Sequence, residues 1–368
     1  MSGGFGQTAS VKGARRVNPL RVAVLGGYLG QMRIERFDPR ADGERLRTCY
    51  EIFEAGRPQD DPAGPPLSPG GFRGWWAHGF TGDPRQVWLA TDAGEPVGCY
   101  LLELPERENA EVGVCLPVVA PAARRRGLGT ALLAHCAAQA RCAGRTLLSS
   151  QARHGSAGEA FARAAGARGG LANIRRVLQI DDELPALLTR LRAAAEPAAA
   201  GYSLLSWSGP TPAEHLERVA RLVAAMSDAP RSESMEAERW DAARVRETED
   251  SSLTQGLRLH SVAARQSRTG ELAALTQVVT DPATPAWGFQ ALTVVTPRHR
   301  GRRLGLLVKV AMHQELADLE PGIRHVLTEN AEANAHMIAI NEQFGYRISE
   351  RFREWELDLG PRRTGGIP

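Results

Sequence analysis

Two short runs in this chain of 368 residues carry the residue types that grip an anion. Residues 124–129 read RRRGLG and residues 300–305 read RGRRLG. Each follows a strand-like apolar run and opens an apolar helix: VVAPAARRRGLGTALLA at 118–134 and VVTPRHRGRRLGLLVKV at 294–310. The first amides of a helix lack partners inside it and lie at the positive end of its dipole. Glycine lets a bulky anion approach that backbone, and arginine adds charge-assisted hydrogen bonds. The chemistry implied is pyrophosphate binding. A Walker loop needs GK[ST] after its last glycine, and a nicotinamide fingerprint needs three glycines with an acidic residue beyond; neither run has them. VAVLGGYLG at 22–30 has the glycines of a nucleotide turn, but it runs into strand-like MRIERFDP instead of a helix, and that reading is set aside.

The elements around the two runs follow one plan twice. In the first half, a strand at 33–37 and a helix at 41–54 precede a proline- and glycine-rich loop at 56–74. Strand-like VWLATD, PVGCYLLEL and AEVGVCLPVV come next, then a helix at 127–141, strand TLLSS, helix GEAFARAAG and closing strand RRVLQI. The alanine-rich DDELPALLTRLRAAAEPAAAG reads as a connecting helix and linker. The second half begins with strand YSLLSW and the capping-box start at Thr211 of TPAEHLERVARLVAAM. A helix through MEAERWDAARVRET, strands LRLHSVAAR, ELAALTQVV and FQALTVVT, a helix at 302–319, strand RHVLTEN, a helix at 335–344 and strands YRIS and FREWELDL complete it. The fold class is therefore α/β, of the α+β mixed-sheet kind, duplicated at domain scale. The boundaries expected are a disordered leader at 1–31, domains at 32–180 and 201–359, a linker at 181–200 and a loose tail at 360–368.

Composition narrows the partners. A net charge of +3, with arginines spread apart from short clusters in the two turns, is too small to indicate a nucleic-acid binder. Five cysteines without a CxxC pair fit neither a disulfide framework nor a metal site, and point to the cytoplasm. No apolar run approaches the length of about 20 residues that a membrane helix needs.

The pattern Arg/Gln-x-x-Gly-x-Gly/Ala, after a strand ending in Val-x-Pro, resembles the coenzyme A loop of the GCN5-related N-acetyltransferase (GNAT) superfamily. Val119, Pro121, Arg124, Gly127 and Gly129 carry it in the first half; Val295, Pro297, Arg300 and Gly305 carry it in the second, with Arg303 at the first glycine's place. Asn334, Met337, Ile340, Asn341, Gly345 and Tyr346 are similar to the family's following helix, with Asn341 at the position of its tyrosine acid. Phe161 and Gly166 remain of that frame in the first half, with Ala162 at the tyrosine position. The order of elements resembles two such domains in tandem, a plan similar to that of the mycothiol synthases. The resemblance implies acetyl-CoA as acyl donor, no metal, and a primary amine on a small molecule as acceptor, in a monomer or homodimer. It also leaves a non-catalytic acyl-CoA-binding protein open.

The richer helix frame points to the second half as the seat of chemistry. The resemblance then assigns coenzyme A to Val295, Arg300, Gly301, Arg302, Arg303, Gly305, Asn330 and Asn334, and in the first half to Val119, Arg124, Arg125, Gly127 and Gly129. Arg303 needs no glycine if it takes ordinary helical geometry. Asn341 can donate a hydrogen bond to sulfur, Gln290 can orient a water, and Glu329 is the candidate base, with Tyr346 a less suitable acid. Glu111 is the first half's corresponding acid. Glu238, Trp240 and Asp241 could meet a cationic amine, and His299 a phosphate, whereas His260 reads as structural. The loop at 56–74 and the helices at 211–248 are expected to wall the acceptor pockets of their own halves.

Overall fold

Alternating apolar residues lay down Met32–Phe37 (β1), Arg85–Asp92 (β2), Glu95–Glu103 (β3) and Val112–Val119 (β4) as an antiparallel run. Gly43–Asp60 (α1) and Pro69–His78 (α2) cover one face of it, and Leu128–Cys142 (α3) covers the other. Leu147–Arg153 (β5) returns parallel to β4, and Ala157–Ala164 (α4) and Arg168–Gln179 (β6) end the first half. Leu184–Ala195 (α5) leads to Tyr202–Ser208 (β7), Leu216–Ala224 (α6), Ala242–Thr254 (α7), Arg258–Gln266 (β8), Leu272–Thr280 (β9) and Trp287–Val295 (β10). Leu304–Leu319 (α8), His325–Ala331 (β11), Ala335–Gln343 (α9) and Arg347–Asp358 (β12) complete the chain's elements. This computed structural model describes residues 32–79, 82–228 and 230–360; the leader at 1–31 and the tail beyond 360 lie outside them.

Among the described residues the strands form one 12-stranded mixed sheet in the order β1-β2-β3-β4-β5-β12-β6-β11-β10-β9-β8-β7. The halves exchange their last strands. β12 pairs with β5 of the first half, and β6 pairs with β11 of the second. Packing follows the exchange: Leu357 and Leu359 join the first half's core around α3, while Leu178 and the α5 residues Leu184 and Leu188 join the core around α8. Each buried leucine contributes about 1.5–3 kcal/mol, so the two halves stabilise each other. The stretch read as a connecting helix and linker holds the helix α5, which packs into the core around α8.

Several local readings change. α1 runs on to Asp60 with Pro58 in its last turn, where the Asp61 N–H closes the helix on the Arg57 carbonyl at 2.8 Å. α2 forms inside the expected loop because Ser68 caps it, accepting from Gly71 N, with Pro69 at the first turn. Thr211 caps nothing: it is buried, its N–H and hydroxyl both donating to Glu249, and α6 begins only at Leu216. The helix expected through 235–248 begins at Ala242, where Asp241 accepts from Arg244 N. Ahead of it, 230–241 is an extended strap pinned across the halves, with Glu236 N donating to Asn109 Oδ1 at 2.7 Å and Arg239 N to Glu108 Oε1 at 3.0 Å. Side-chain partners from the first half outweigh the strap's helical pattern.

Candidate active site

The mouth of α3 is built from two left-handed residues, Arg125 at φ +66° and Gly127 at φ +83°. The second half repeats this with the residue types reversed, Gly301 at φ +77° and Arg303 at φ +53°. The ordinary helical geometry expected for Arg303 is corrected: as an arginine in left-handed geometry it costs roughly 1–2 kcal/mol. Its side chain turns away, Nη1 donating to the Ala194 carbonyl at 3.2 Å. The first amide bonded within α3 is that of Ala131, to the Gly127 carbonyl at 3.1 Å, so those of Leu128, Gly129 and Thr130 stand ahead of it, and no side chain caps them. A Cβ on Gly127 would meet open space within 4 Å. This mouth fits a diphosphate. Gly129 is half-buried and Gly305 buried, although a Cβ at either would meet a side chain at 3.4 Å, Phe161 at the first and Ile340 and Val295 at the second.

The paired arginines of the loops are ties. Arg124 donates from Nε to the Val119 carbonyl at 3.1 Å and from Nη2 to Asp60 at 2.6 Å, fastening the end of α1 to β4. Arg300 makes the corresponding Nε bond to the Val295 carbonyl at 3.4 Å. Arg125 and Arg302 are exposed.

Between the mouth and the sheet interior, neighbouring strands part. β4 pairs with β5 only over 112–114 with 147–149, and β10 with β11 only over 287–289 with 325–327. Ala120 donates to Val97 on β3, so the alternating Val119 and Pro117 face the parting, where a proline leaves no ladder bond unmade. In the first half the parting opens into a cavity of about 1390 Å³, reached by Val119, Arg125, Gly127, Gly129 and Thr130 at one end. Its far walls include Pro65 and Pro66 of the loop after α1, and Trp75 of α2. Val223, Met226, Glu238 and Trp240 of the second half roof it. The acceptor-wall segment expected to serve the second half therefore covers the first half's cleft. Asp241 is spent as the cap of α7.

In the second half the proposed chemical groups are engaged with one another or with the core, and Gln290, Asn341 and Tyr346 are buried. Gln290 is 3% exposed at a bulge in β10, its Nε2 donating to Thr276 Oγ1 and to the Gln277 and Leu292 carbonyls. Asn341, 0% exposed, accepts from Lys309 Nζ and donates to Asn330 Oδ1, both at 2.7 Å. Lys309 is fully buried over the Tyr346 ring, and burial lowers its pKa to about 7. Tyr346 is core: burial pushes its phenol up, and it meets His313 Nε2 at 3.2 Å. Asn334 caps α9. Glu329 accepts from Arg175 Nε at 2.9 Å, so the candidate base is an ion-pair partner. Burial opposes the Arg175 charge, but hydrogen bonding and attraction from Asp61 and Glu329 more than offset it and raise its pKa. His299 is buried with Nδ1 on the Tyr202 hydroxyl at 2.7 Å, and so is not at the mouth. His260 bridges Glu320 and Ser208, a structural histidine. Glu111 is exposed and precedes β4 at the end away from the parting.

Among the cavity residues that the sequence reading did not single out are Arg175, Ser232 and Glu354. The alternation of FREWELDL did place Glu354 and Glu356 on one strand face, but nothing in it said that this face belongs to the other half's cleft.

Residues 83–165 match the family model for an acetyltransferase (GNAT) domain. The chain is similar to a solved tandem GNAT protein from the clavulanic acid biosynthesis pathway, without AcCoA, at 28% identity and a TM-score of 0.73, covering 90% of this chain and 99% of that one. A GCN5-related N-acetyltransferase from Sphaerobacter thermophilus shares the fold at 16% identity and a TM-score of 0.62, covering 90% and 97%. So does a GCN5-related glucosamine N-acetyltransferase region of a fungal multi-domain GH3 beta-N-acetylglucosaminidase, at 14% identity and a TM-score of 0.57, covering 89% and 38%. No curated protein matches the sequence. Among the described residues no helix is long and apolar enough to cross a membrane.

Proposed function

We propose that this chain, a protein of two GNAT domains in tandem, transfers an acetyl group from acetyl-CoA to a primary amine of a small molecule, and does so in its first half. The observation that carries the reading is the cavity of about 1390 Å³ that begins at the unclaimed amides of α3 and follows the parting of β4 and β5. Ligand pockets are typically about 300–1,000 Å³, so this one has room for a pantetheine arm and an acceptor together. The mouth holds the diphosphate and the parted strands hold the arm. The amine, bound as ammonium, first gives a proton to water in the open cavity. Its neutral nitrogen then attacks the thioester carbonyl carbon, the C–S bond breaks and coenzyme A leaves as thiolate. The surplus proton on the new amide nitrogen passes to water.

Neither half has a phenol at the family's acid position, which is Ala162 in one and the buried Asn341 in the other. A thiol with a pKa of about 8.5 leaves tolerably without an acid, so holding the amine against the thioester supplies most of the rate. The same missing phenols favour a second reading, an acyl-CoA-binding protein without turnover. Calorimetry with acetyl-CoA, followed by free-thiol release with an amine panel, tests both. Saturation at one site per chain with amine-dependent thiol release is expected. Binding without release across the panel selects the second reading, and absence of binding removes both.

A further inference from the structure

Among the described residues six carboxylates line the cavity: Asp60, Asp61, Glu103, Glu236, Glu238 and Glu354. Four have a cation beside them. Asp60 meets Arg124, Asp61 meets Arg175, Glu103 meets Arg85, and Glu238 lies 3.8 Å from Arg244. Glu236 is exposed on the strap. Glu354 is half-buried and held by neutral donors alone, Ser232 Oγ at 2.5 Å and Asn173 Nδ2 at 3.3 Å. No arginine or lysine among the described residues forms an ion pair with it. Taking a carboxylate out of water is costly unless a charge faces it. Here the missing charge has an open cavity to come from.

The position suits the acceptor. Register pairs Glu354 with Gln151, two residues beyond Ser149, the last β5 residue paired with β4. Adjacent strands lie about 4.8 Å apart, so the carboxylate stands one strand from the groove where the thioester would lie. Both halves build the site: Ser232 belongs to the strap, and its hydroxyl also accepts from Leu171 N of β6 at 3.2 Å. The strap can lie this close because Gly170 has no side chain; a Cβ there would come within 2.9 Å of Ser232 Oγ. Phe53, Trp75, Val223, Met226 and Phe352 give the same cavity an apolar lining.

We propose that Glu354 is the recognition carboxylate for the acceptor, receiving the ammonium group of a primary amine whose body is apolar, with Ser232 and Asn173 holding it in place. The identification of this ligand as an acyl acceptor rests on the transfer reading above; its binding does not.

The test uses the full chain at neutral pH, titrated calorimetrically with phenethylamine and with its uncharged counterpart 2-phenylethanol, with coenzyme A absent and then present. A charge-assisted hydrogen bond predicts that the amine binds about tenfold or more tightly than the alcohol. Glu354→Gln should remove that preference while leaving affinity for acetyl-CoA unchanged, which also shows that the variant is folded; Glu354→Asp should keep part of it. A wild-type chain that does not prefer the amine, or a Glu354→Gln variant that still does, overturns the proposal. Amine preference without acetyl-CoA binding would leave the Glu354 site standing and remove the transfer reading. Acetyl-CoA binding without amine preference would do the reverse.

Discussion

Arg175 on the exchanged strand β6 and Glu329 on its new neighbour β11 are direct register partners, joined Nε to Oε1 at 2.9 Å. The same guanidinium reaches Asp61 at the end of α1 at 2.7 Å and lies over the Phe352 ring. One side chain thus connects the first half's helix, both exchanged strands and the second half's fifth strand. Arg175→Ala leaves two carboxylates facing each other without their cation. It should cost about 3 kcal/mol in urea unfolding, the low end for a broken buried pair because Asp61 and Glu329 are partly exposed. Glu329→Gln leaves Arg175 with Asp61 and should keep acyl transfer; its loss with acetyl-CoA binding intact would restore Glu329 as the base.

The two mouths can be told apart by charge. Gly129→Asp sets a carboxylate against the site of the diphosphate, and it should abolish acetyl-CoA binding through like-charge repulsion. Gly305→Asp alters the buried mouth and should leave binding in the first half in place, at some cost in stability. Calorimetry of both variants reads the result directly. Retention by Gly129→Asp with loss in Gly305→Asp would return the chemistry to the second half.

Lys309 ties stability to pH. Burial lowers its pKa from an ordinary 10.5 to about 7, while its neighbour His313, lowered to about 3 by burial and by Lys309 itself, stays neutral above that. Between pH 7 and 10.5 the unfolded lysine therefore holds a proton that the folded one has released. The unfolded state binds more protons there, so folding gains stability as pH rises, by up to about 1.4 kcal/mol per pH unit. Below pH 7 both states are protonated and the full penalty of the buried cation applies. Relative to Lys309→Met, the wild type should gain along that slope in denaturant titrations at rising pH. A difference independent of pH would mean that Asn341 and the Tyr346 ring hold the ammonium charged.

Much of the fold was legible along the chain. The strand–turn–helix runs at 118–134 and 294–310 are local patterns, and both fold as read, except that Arg303 opens α8 in left-handed geometry and not in the helical geometry expected of it. The roles of the second half's polar residues were not legible. Asn341 and Gln290 occupy positions that look chemical in sequence, and only their burial against Lys309 and Thr276 shows them engaged in the core. Helical periodicity in 235–248 also misled, because the strap's partners, Glu108 and Asn109, lie more than 100 residues away.

Sequence alone settled what depends on neighbours a few residues apart: the duplicated plan, the glycine turns and the apolar faces. Tertiary structure decided what depends on distant partners, namely the strand exchange, the half with the open cleft, and the delivery of Glu354 and the strap to the other half's cavity. The reason is physical. A strand's pattern specifies which face is buried but not which edge it pairs with, and here two equivalent edges were available to each last strand.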